Sequence, residues 1–463
     1  MAEEFDVVVV GGGPGGYAAA LYGAAAGLRI AVVEREKVGG TCLHRGCIPA
    51  KQFLETATVF RTVAGAKEFG IVAEQPGVDF AAAQARKQKV VDQLWKGLQS
   101  LMKGRKITVV HGTGVLRPNR RVKVDDGTEL IGTKAVILAS GSVPRTLPGF
   151  EVDGRFVLTS DEVLALDRLP ASAAVVGGGA IGCEFASMMS DLGTQVTILE
   201  ALPKILPGCD KDVADVVVRS FKRRGIDVRT GVKLEGHEPS GDQTRVKLGD
   251  GSTLAVDAIV ISVGRRPLSD SLDLDGTGVE VDEKGFVKVD DHLRTGVEGV
   301  YALGDLVDTP QLAHVGFAEA IVAVKDILGE PAVAVDHRKV PWCIYCFPEV
   351  AFAGLSEQAA RDAGIDVVVS KHRFNSNSRA MIVGEAEGLV KVIAEKGPDG
   401  RAGRLVGVHM VGPWVTEQLA EGYLAVNWEA TPDEVSAFIH PHPTLSETFG
   451  ETVLSLTGRG LHG

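Results

Sequence analysis

Two cysteines with four residues between them, Cys42 and Cys47, are the side chains best suited to chemistry in this sequence. An uninterrupted α-helix would separate their Cα atoms by roughly 8 to 9 Å, beyond the limit of about 7 Å for a disulfide. The segment must therefore bend, and Gly46 frees the backbone between the thiols, while Pro49 suits the first turn of a following helix. We interpret the pair as a redox disulfide at a helix start, where thiols ionise readily.

Other interpretations of the cysteines are two packed thiols or half of a zinc site. Zinc ligands favour a closer C-x2-C spacing, and no second pair is near Cys42 and Cys47 in sequence. Cys343 and Cys346 do have metal-like spacing, but their run is apolar and has no histidine close by. We expect buried structural thiols there and no metal site.

Two stretches of the chain repeat the same pattern at matching offsets. Each has an apolar strand, a Gly-x-Gly-x-x-Gly turn, an Ala-rich helix and a second strand that ends in an acid. This pattern binds dinucleotides: the glycines permit close approach of the pyrophosphate, and the acid binds a ribose hydroxyl. A glycine-rich turn without its acid would be an ordinary turn, but both acids are present. The glycines are Gly11, Gly13 and Gly16, then Gly177, Gly179 and Gly182, and the acids are Glu34 and Glu200.

Glu200 predicts the choice of pyridine nucleotide. A carboxylate bonds the free 2′-hydroxyl of NAD and repels the 2′-phosphate of NADP. The following residues 201–206 contain no arginine to bind that phosphate. NAD is therefore favoured, and the same reasoning at Glu34 fits the adenosine ribose of FAD.

Composition limits the function classes. The chain has 463 residues, which predicts three or four domains, and a formal net charge of −11, which argues against binding to nucleic acid or anionic membranes. Its start lacks the features of a signal peptide, and no stretch is apolar and long enough to span a bilayer. Only six cysteines occur, so we expect a reducing cytoplasm with one catalytic disulfide.

Hydrophobic periodicity places further elements around the two dinucleotide patterns. The C-terminal part, from about Trp342, has the character of an antiparallel sheet with a helix, which indicates a separate α+β domain. The predicted helices are 80–102, 210–224 and 415–426, and the predicted strands are 106–111, 121–124, 135–141, 245–248, 253–255, 259–263, 367–370, 388–393 and 405–410.

From Phe5 to Thr448 the chain resembles the flavoprotein disulfide reductases, also called pyridine nucleotide-disulfide oxidoreductases, and most closely those that oxidise dihydrolipoamide. Besides the features above, the resemblance rests on the turn Ala139 to Pro144, the FAD motif Thr295 to Asp305 and the terminal segment His440 to Glu447. It implies FAD and NAD as cofactors. The cofactor-binding residues it adds are Ser140, Gly141, Gly264, Gly304, Asp305 and Lys51.

The resemblance also implies catalytic roles. Cys42 would exchange with the substrate disulfide, Cys47 would lie against the flavin, and His442, oriented by Glu447, would move the proton. Lys51 and Glu184 occupy the positions of an ion pair beside the flavin. A lone histidine near a C-terminus is usually a packed one, and a single lysine or glutamate is usually solvated, but here they stand within full motifs.

The predicted fold is therefore α/β, with two Rossmann-like dinucleotide-binding domains for FAD and NAD and a C-terminal α+β dimerisation domain. The expected domains are 1–148 for FAD, 149–270 for NAD, 271–340 completing the FAD site and 341–463 at a homodimer interface. The implied partners are lipoyl domains of 2-oxoacid dehydrogenase or glycine-cleavage complexes. Alternatives are an NAD(P)H-dependent reductase of another disulfide, mercuric ion or quinone, and a non-catalytic dinucleotide-binding scaffold.

Overall fold

The strands build three larger sheets and two small ones, within the residues 2–74 and 77–462 that the computed structural model describes. In chain order the strands are β1 (Glu3–Val10), β2 (Ile30–Glu34), β3 (Thr108–His111), β4 (Gly114–Arg117), β5 (Arg121–Val124), β6 (Glu129–Leu138), β7 (Ser142–Pro144), β8 (Val157–Leu158), β9 (Ser172–Val176), β10 (Gln195–Glu200), β11 (Asp227–Thr230), β12 (Leu234–Ser240), β13 (Gln243–Leu248), β14 (Thr253–Val256), β15 (Ala258–Ile261), β16 (Arg265–Pro267), β17 (Val300–Ala302), β18 (Trp342–Ile344), β19 (Glu349–Gly354), β20 (Val367–Arg373), β21 (Leu389–Lys396) and β22 (Ala402–Gly412).

The helices connect and cover these strands. They are α1 (Pro14–Ala25), α2 (Gly40–Arg45), α3 (Cys47–Gly65), α4 (Phe80–Gly104), α5 (Ser160–Ala165), α6 (Ala180–Asp191), α7 (Lys211–Arg223), α8 (Ala313–Leu328), α9 (Glu357–Asp362), α10 (Ser378–Val383), α11 (Val415–Asn427), α12 (Pro432–Ser436) and α13 (Glu447–Leu456), with short 3-10 helices at Ala66–Phe69, Asp270–Leu272, Gly304–Leu306 and Phe374–Ser376. Within the described residues no helix combines the length and apolarity needed to cross a membrane.

The chain divides into two compact units. The first comprises the described residues of Met1–Phe53, Asp79–Arg145 and Gly264–His337, and the second those of Leu54–Val78, Thr146–Val263 and Arg338–Gly463.

A seven-stranded sheet organises the first unit, in the order β3-β2-β1-β6-β5-β4 with β17 also paired to β6. The β1 strand is parallel to both of its neighbours, with Val8 opposite Ala31 and Val136. Both faces are covered, because Val8 and Val10 join one hydrophobic cluster while Val7 and Val9 join another. This burial on both sides explains the unbroken apolar run of β1.

The second unit contains a parallel five-stranded sheet and an antiparallel one. The parallel sheet has the order β11-β10-β9-β15-β8, and β12-β13-β14 form a small antiparallel sheet in the same part of the chain. The C-terminal sheet has the order β18-β19-β22-β21-β20 and is antiparallel throughout. The predicted α/β class with an antiparallel C-terminal domain is confirmed.

Most of the predicted elements are present with small boundary shifts. The strand at 121–124 and the start of the helix at 80 agree with β5 and α4, and the helix ends two residues later, at Gly104. The strand expected at 135–141 is wrong at its start, because β6 begins at Glu129. Its first half alternates exposed and buried residues and pairs antiparallel to β5, so Glu129, Thr133 and Lys134 are polar there.

Candidate functional site

The two redox cysteines lie on either side of a break between two helices. Gly46 has φ −140° and ψ −109°, which ends α2 at Arg45, and Cys47 is the first residue of α3. Both cysteines are thiols in this structure. The predicted bend at Gly46, leading into a helix that carries Lys51, is confirmed.

The electrostatics of Cys42 differ from the sequence expectation. A hydrogen bond with Cys47 raises the pKa of the Cys42 thiol far above its usual range, and burial raises it further. The expectation of ready ionisation is therefore wrong for Cys42. Tyr17 lies in the same field: burial, followed by the charges of Cys42 and Cys47, raises the pKa of Tyr17 to about 12. Because disulfide exchange needs a thiolate, a thiol whose pKa is raised in this way needs a separate base.

The first dinucleotide turn has two glycines required by packing and one that faces open space. A Cβ on Gly11 would lie 2.2 Å from the Ala139 carbonyl oxygen, and a Cβ on Gly16 would lie 1.9 Å from the Gly11 oxygen. A Cβ on Gly13 would meet nothing within 4 Å. Gly13 is the N-cap residue of α1 and provides no side-chain hydrogen bond, so the helix N-terminus is open to a phosphate.

The acid of the first turn is held by the turn itself. The Glu34 carboxylate accepts hydrogen bonds from the N–H groups of Gly12, at 2.7 Å, and Glu36, at 2.8 Å. These bonds fix the carboxylate at the end of β2, beside the glycine turn. The arrangement fits the ribose and pyrophosphate of a dinucleotide.

The second turn repeats this geometry. A Cβ on Gly177 would lie 2.4 Å from the Ser262 oxygen, one on Gly182 would lie 1.9 Å from the Gly177 oxygen, and one on Gly179 would meet nothing within 4 Å. The Glu200 carboxylate accepts from the N–H groups of Gly178, at 2.6 Å, and Leu202, at 2.7 Å. A second dinucleotide therefore fits the second unit.

Further candidate cofactor residues surround Asp305 in the first unit. The Asp305 carboxylate accepts a hydrogen bond from Ser142 Oγ at 2.5 Å and lies 3.8 Å from Arg265 Nε. Burial raises the pKa of Asp305, although Ser142 and Arg265 oppose the rise. Ser140 donates to the Leu268 carbonyl at 3.0 Å.

Three predicted cofactor glycines have left-handed backbones and no near neighbour. Gly141 has φ +74°, Gly264 has φ +98° and Gly304 has φ +69°, and a Cβ on any of them would meet nothing within 4 Å. Each position therefore requires glycine for its backbone conformation and faces open space. These features suit close approach of a flavin nucleotide.

Sequence reasoning missed Glu319, a fully buried carboxylate on α8. It accepts the N–H of Gly304 at 2.7 Å and contacts His337 Nε2 at 3.1 Å. Gly304 directly precedes Asp305, so the hydrogen bond from Gly304 to Glu319 fixes the backbone beside Asp305. Nothing in the spacing of these residues could have found this contact.

The predicted general base, His442, and its orienting acid, Glu447, are in contact in the second unit. His442 Nδ1 lies 2.8 Å from Glu447 Oε1, and the other oxygen of Glu447 accepts the Thr444 N–H at 2.7 Å. Hydrogen bonds from Thr444 and His442 lower the pKa of Glu447 despite burial. The His442 side chain is 71% exposed, so one face of the imidazole is free to meet another surface.

Lys51 and Glu184 lie on different units. Lys51 is on α3, in the part that belongs to the first unit, and Glu184 is a buried residue of α6 in the second. Glu184 accepts the Tyr345 N–H at 2.9 Å. Their ion pair stays a prediction.

Of the two cysteines expected to be buried structural thiols, Cys346 is buried, but the expectation is wrong for Cys343, which is half-buried near the edge of the C-terminal sheet. Cys343 donates to the Thr416 carbonyl at 3.7 Å, and Cys346 donates to the Pro348 carbonyl at 3.2 Å. Among the described residues, no cluster of histidine, cysteine and acidic side chains could hold a metal ion.

Comparison with known families decides the class. Residues 5–320 match the model described as pyridine nucleotide-disulphide oxidoreductase, and residues 340–453 match the dimerisation domain of the same family. The chain belongs to the pyridine nucleotide-disulphide oxidoreductases. The second match supports a homodimer for this oxidoreductase.

Individual relatives align with the full length of this oxidoreductase. The dihydrolipoyl dehydrogenase of Bacillus subtilis is 41% identical, with 100% of both chains covered. That of Chlamydia muridarum is 38% identical, with 100% of this chain and 99% of the relative covered. A crystal structure of LpdA from Mycobacterium tuberculosis has a TM-score of 0.90 at 25% identity, covering 98% of this chain and 100% of the other.

A flavoprotein is also among the similar structures. The HOCl-induced flavoprotein disulfide reductase RclA from Escherichia coli has a TM-score of 0.87 at 27% identity, covering 97% of this chain and 99% of the other. The predicted family and fold are confirmed. The domain boundaries and the roles of individual site residues stay predictions.

Proposed function

We propose that this enzyme oxidises dihydrolipoyl groups with NAD, through FAD and a redox-active disulfide between Cys42 and Cys47. The observation that carries the proposal is the hydrogen-bonded thiol pair at the helix break, directly downstream of the first dinucleotide turn. Relatives named dihydrolipoyl dehydrogenase over the full length of the chain support the substrate.

The thiol exchange proceeds in two balanced steps. One dihydrolipoyl thiolate attacks Cys42 Sγ of the disulfide, which forms a mixed disulfide and releases Cys47 as a thiolate. The second dihydrolipoyl sulfur then attacks the sulfur bound to Cys42, which closes the lipoyl ring and releases the Cys42 thiol. FAD held at the first glycine turn and Glu34 would supply the electron acceptor for the dithiol, and NAD held at the second turn and Glu200 would supply the final hydride acceptor.

His442 is the proposed base for these steps. Its imidazole takes the proton of the attacking thiol, and Glu447 orients the ring and stabilises its cation. Because His442 is 71% exposed in the protomer and the family forms dimers, we propose that it serves the thiol pair of the partner subunit. Lys51, paired with Glu184, would then stabilise negative charge near the reduced flavin.

The proposed partners are lipoyl domains of a 2-oxoacid dehydrogenase or glycine-cleavage complex. The small number of cysteines in a chain of this length supports action in a reducing cytoplasm. Glu200 supports NAD as the acceptor.

A specificity assay tests the function. The purified yellow protein should reduce NAD with dihydrolipoamide at a far higher kcat/KM than with glutathione, and should prefer NAD to NADP. Partial reduction should add a long-wavelength absorption band from the Cys47 thiolate beside oxidised flavin, and Cys47→Ser should abolish the band with flavin still bound. Preference for glutathione, a metal ion or a quinone would replace the proposal with the alternative reductase function.

Complementation tests the shared site. Cys42→Ser and His442→Ala proteins are each expected to be nearly inactive. Dissociating and reassociating them together forms mixed dimers with one doubly damaged and one intact site, so activity should return. Confirmed mixed dimers without recovered activity would show that each site comes from one chain.

A further inference from the structure

A second histidine–glutamate pair lies beside the proposed base. His440 Nε2 is 2.9 Å from Glu421 Oε1, and the His440 side chain is only 14% exposed, in contrast to the exposed His442. Glu421 belongs to α11, which packs on the C-terminal sheet. The segment that carries His442 is therefore tied at its start to α11.

The ring of His440 also packs against the helix that begins with Glu447. A Cβ on Gly450 of α13 would lie 2.4 Å from His440 Nδ1 and 2.5 Å from its Cε1. Gly450 follows Glu447 by three residues, so both lie on the same side of α13. Only glycine at position 450 leaves room for the imidazole.

The other end of the segment is fixed independently. Asn377, which is buried, donates to the Thr444 carbonyl at 2.9 Å and contacts Thr448 Oγ1 at 3.0 Å. Between these two anchors stands His442, whose own contact is the Glu447 carboxylate. The exposed base therefore depends on the anchors for its place.

We propose that His440, held by Glu421 and seated against Gly450, is a positioning residue for the His442–Glu447 pair and supplies a positive charge beside it. The inference rests on the proposed function in taking His442 as the base. His440 itself touches neither substrate nor thiol. It acts by keeping the segment against α13 and by its charge.

The electrostatic part has two carboxylates to consider. The hydrogen bond to Glu421 raises the pKa of His440, against burial, which favours the cation, and Glu447 on α13 adds to the same effect. In turn the His440 charge contributes to the lowered pKa of Glu447. Removing the His440 charge therefore makes protonation of Glu447, the acid that orients His442, easier.

Three variants separate position from charge. His440→Ala removes both, Gly450→Ala displaces the ring and leaves its charge, and His440→Gln keeps a donor for Glu421 without the charge. The matched control is His462→Gln, because His462 pairs with Glu451 of the same helix at 3.4 Å but is 78% exposed.

For dihydrolipoamide oxidation we expect kcat to fall by about 10- to 100-fold in His440→Ala and Gly450→Ala, since a small misplacement of a catalytic group has effects of this size. His440→Gln should recover most of kcat, while the acid limb of kcat/KM against pH moves to higher pH. NADH-dependent reduction of ferricyanide, which takes electrons from the flavin without a thiol base, should be unchanged in every variant. The control should match the wild type.

Two results would overturn the inference. One is a wild-type kcat and pH profile in His440→Ala, and the other is an equal loss of both activities in His440→Ala and His440→Gln, which is a general structural effect. Labelling of His442 by diethyl pyrocarbonate, followed by peptide mass spectrometry, gives the same comparison without turnover. If wild-type protein fails to oxidise dihydrolipoamide, the proposed function is wrong, and an altered rate of His442 labelling in His440→Ala and Gly450→Ala still decides the positioning role.

Discussion

The two dinucleotide turns share their inner geometry and differ in what surrounds them. In both, the first and third glycines are required by close backbone contacts, the middle glycine is open, and the acid accepts two backbone N–H groups. The first turn has an added layer: a Cβ on Gly15 would lie 2.4 Å from Leu303 Cδ1 and 3.5 Å from the Gly316 oxygen of α8. At the equivalent position the second turn has Ile181. A helix packed as closely as α8 is against Gly15 would leave no room for this side chain.

This difference suits two kinds of cofactor. The layer of β17, the Gly304–Leu306 turn and α8 brings Asp305 and Glu319 to the first region, and adds protein contacts for a nucleotide that stays bound. The second region has the bare strand–turn–helix pattern, which suits a nucleotide that must leave after each turnover. We therefore expect the two similar turns to retain their nucleotides unequally, because only the first turn has the added layer around it.

The largest expected effects come from substituting the third glycine of each turn, Gly16 and Gly182. Gly16→Ala and Gly182→Ala both place a Cβ 1.9 Å from a carbonyl oxygen. We expect Gly16→Ala protein to be isolated without flavin, and Gly182→Ala protein to stay yellow while its kcat/KM for NAD falls by about 100-fold or more. Flavin absorbance and steady-state kinetics measure the two losses.

The matched controls are Gly13→Ala and Gly179→Ala, whose Cβ atoms would meet no protein atom. They should fold normally and lose affinity only for their own nucleotide. Loss of flavin from Gly182→Ala, with flavin kept by Gly16→Ala, would reverse the assignment of the two regions.

A second prediction concerns the attachment of the NAD region to the C-terminal sheet. Lys391 of β21 is 3% exposed and contacts Asp210 at 2.9 Å, Asp212 at 2.9 Å and Glu357 at 2.8 Å. Lys391→Met removes the cation beside the buried Asp210, while Asp212 keeps Lys371 at 3.4 Å and Glu357 keeps Arg361 at 2.9 Å. The loss at Asp210 should lower the free energy of unfolding by about 3 to 5 kcal/mol. Lys396→Met, on the same strand with an exposed ion pair at 3.7 Å, should change it by less than about 1 kcal/mol.

The same variant predicts a change in pH dependence. The hydrogen bond to Lys391 lowers the pKa of Glu357. Burial by itself raises the pKa of Asp210, but the hydrogen bond and charge of Lys391, together with the N–H groups of Asp212 and Glu357, lower it overall. A depressed carboxyl pKa gives stability that is present above the ordinary values of 4.5 and 3.8 and is lost as the pH falls below them. Thermal melting of the wild type should therefore fall more steeply in acid than that of Lys391→Met. Equal slopes would show that Lys391 does not set these pKa values.

The sequence alone predicted those features of the two turns and of the cysteine segment that depend on local pattern. The glycine turns, Glu34, Glu200 and the bend at Gly46 follow from spacing and backbone chemistry. Glu319, His440 and Lys391 could not be found, because their partners lie 15 to 181 residues away and no periodicity links them. The β12 strand was also missed, since it contains Pro239, and proline is confined to edge strands such as this one.

The third prediction tests whether the added layer retains flavin. Glu319→Ala removes the acceptor for the N–H of Gly304, the residue before Asp305, and should raise the Kd for FAD by about 10- to 100-fold, since a lost charged hydrogen bond has an effect of roughly 1.5 to 3 kcal/mol. Equilibrium binding of FAD to the apoprotein measures this. Glu319→Gln should be milder because its amide oxygen still accepts, and Glu330→Ala, at an exposed position two residues after the end of α8, should be neutral. Unchanged FAD affinity in Glu319→Ala would mean that the layer does not act through this contact.

The last prediction compares the acids of the two turns, Glu200 and Glu34. Glu200→Ser combined with Leu202→Arg removes a repulsive charge and adds a phosphate partner at a half-exposed position. Each change contributes about 1 to 3 kcal/mol, so the ratio of kcat/KM for NADPH over NADH should rise by at least about 30-fold. At the first turn, Glu34→Ser should weaken FAD binding and leave that ratio unchanged, because the adenosine ribose there belongs to the flavin nucleotide. If Glu34→Ser alters the nicotinamide preference, the two turns have been assigned to the wrong nucleotides. If wild-type protein already prefers NADPH, the carboxylate of Glu200 does not exclude the 2′-phosphate, and its two backbone hydrogen bonds serve only to shape the turn.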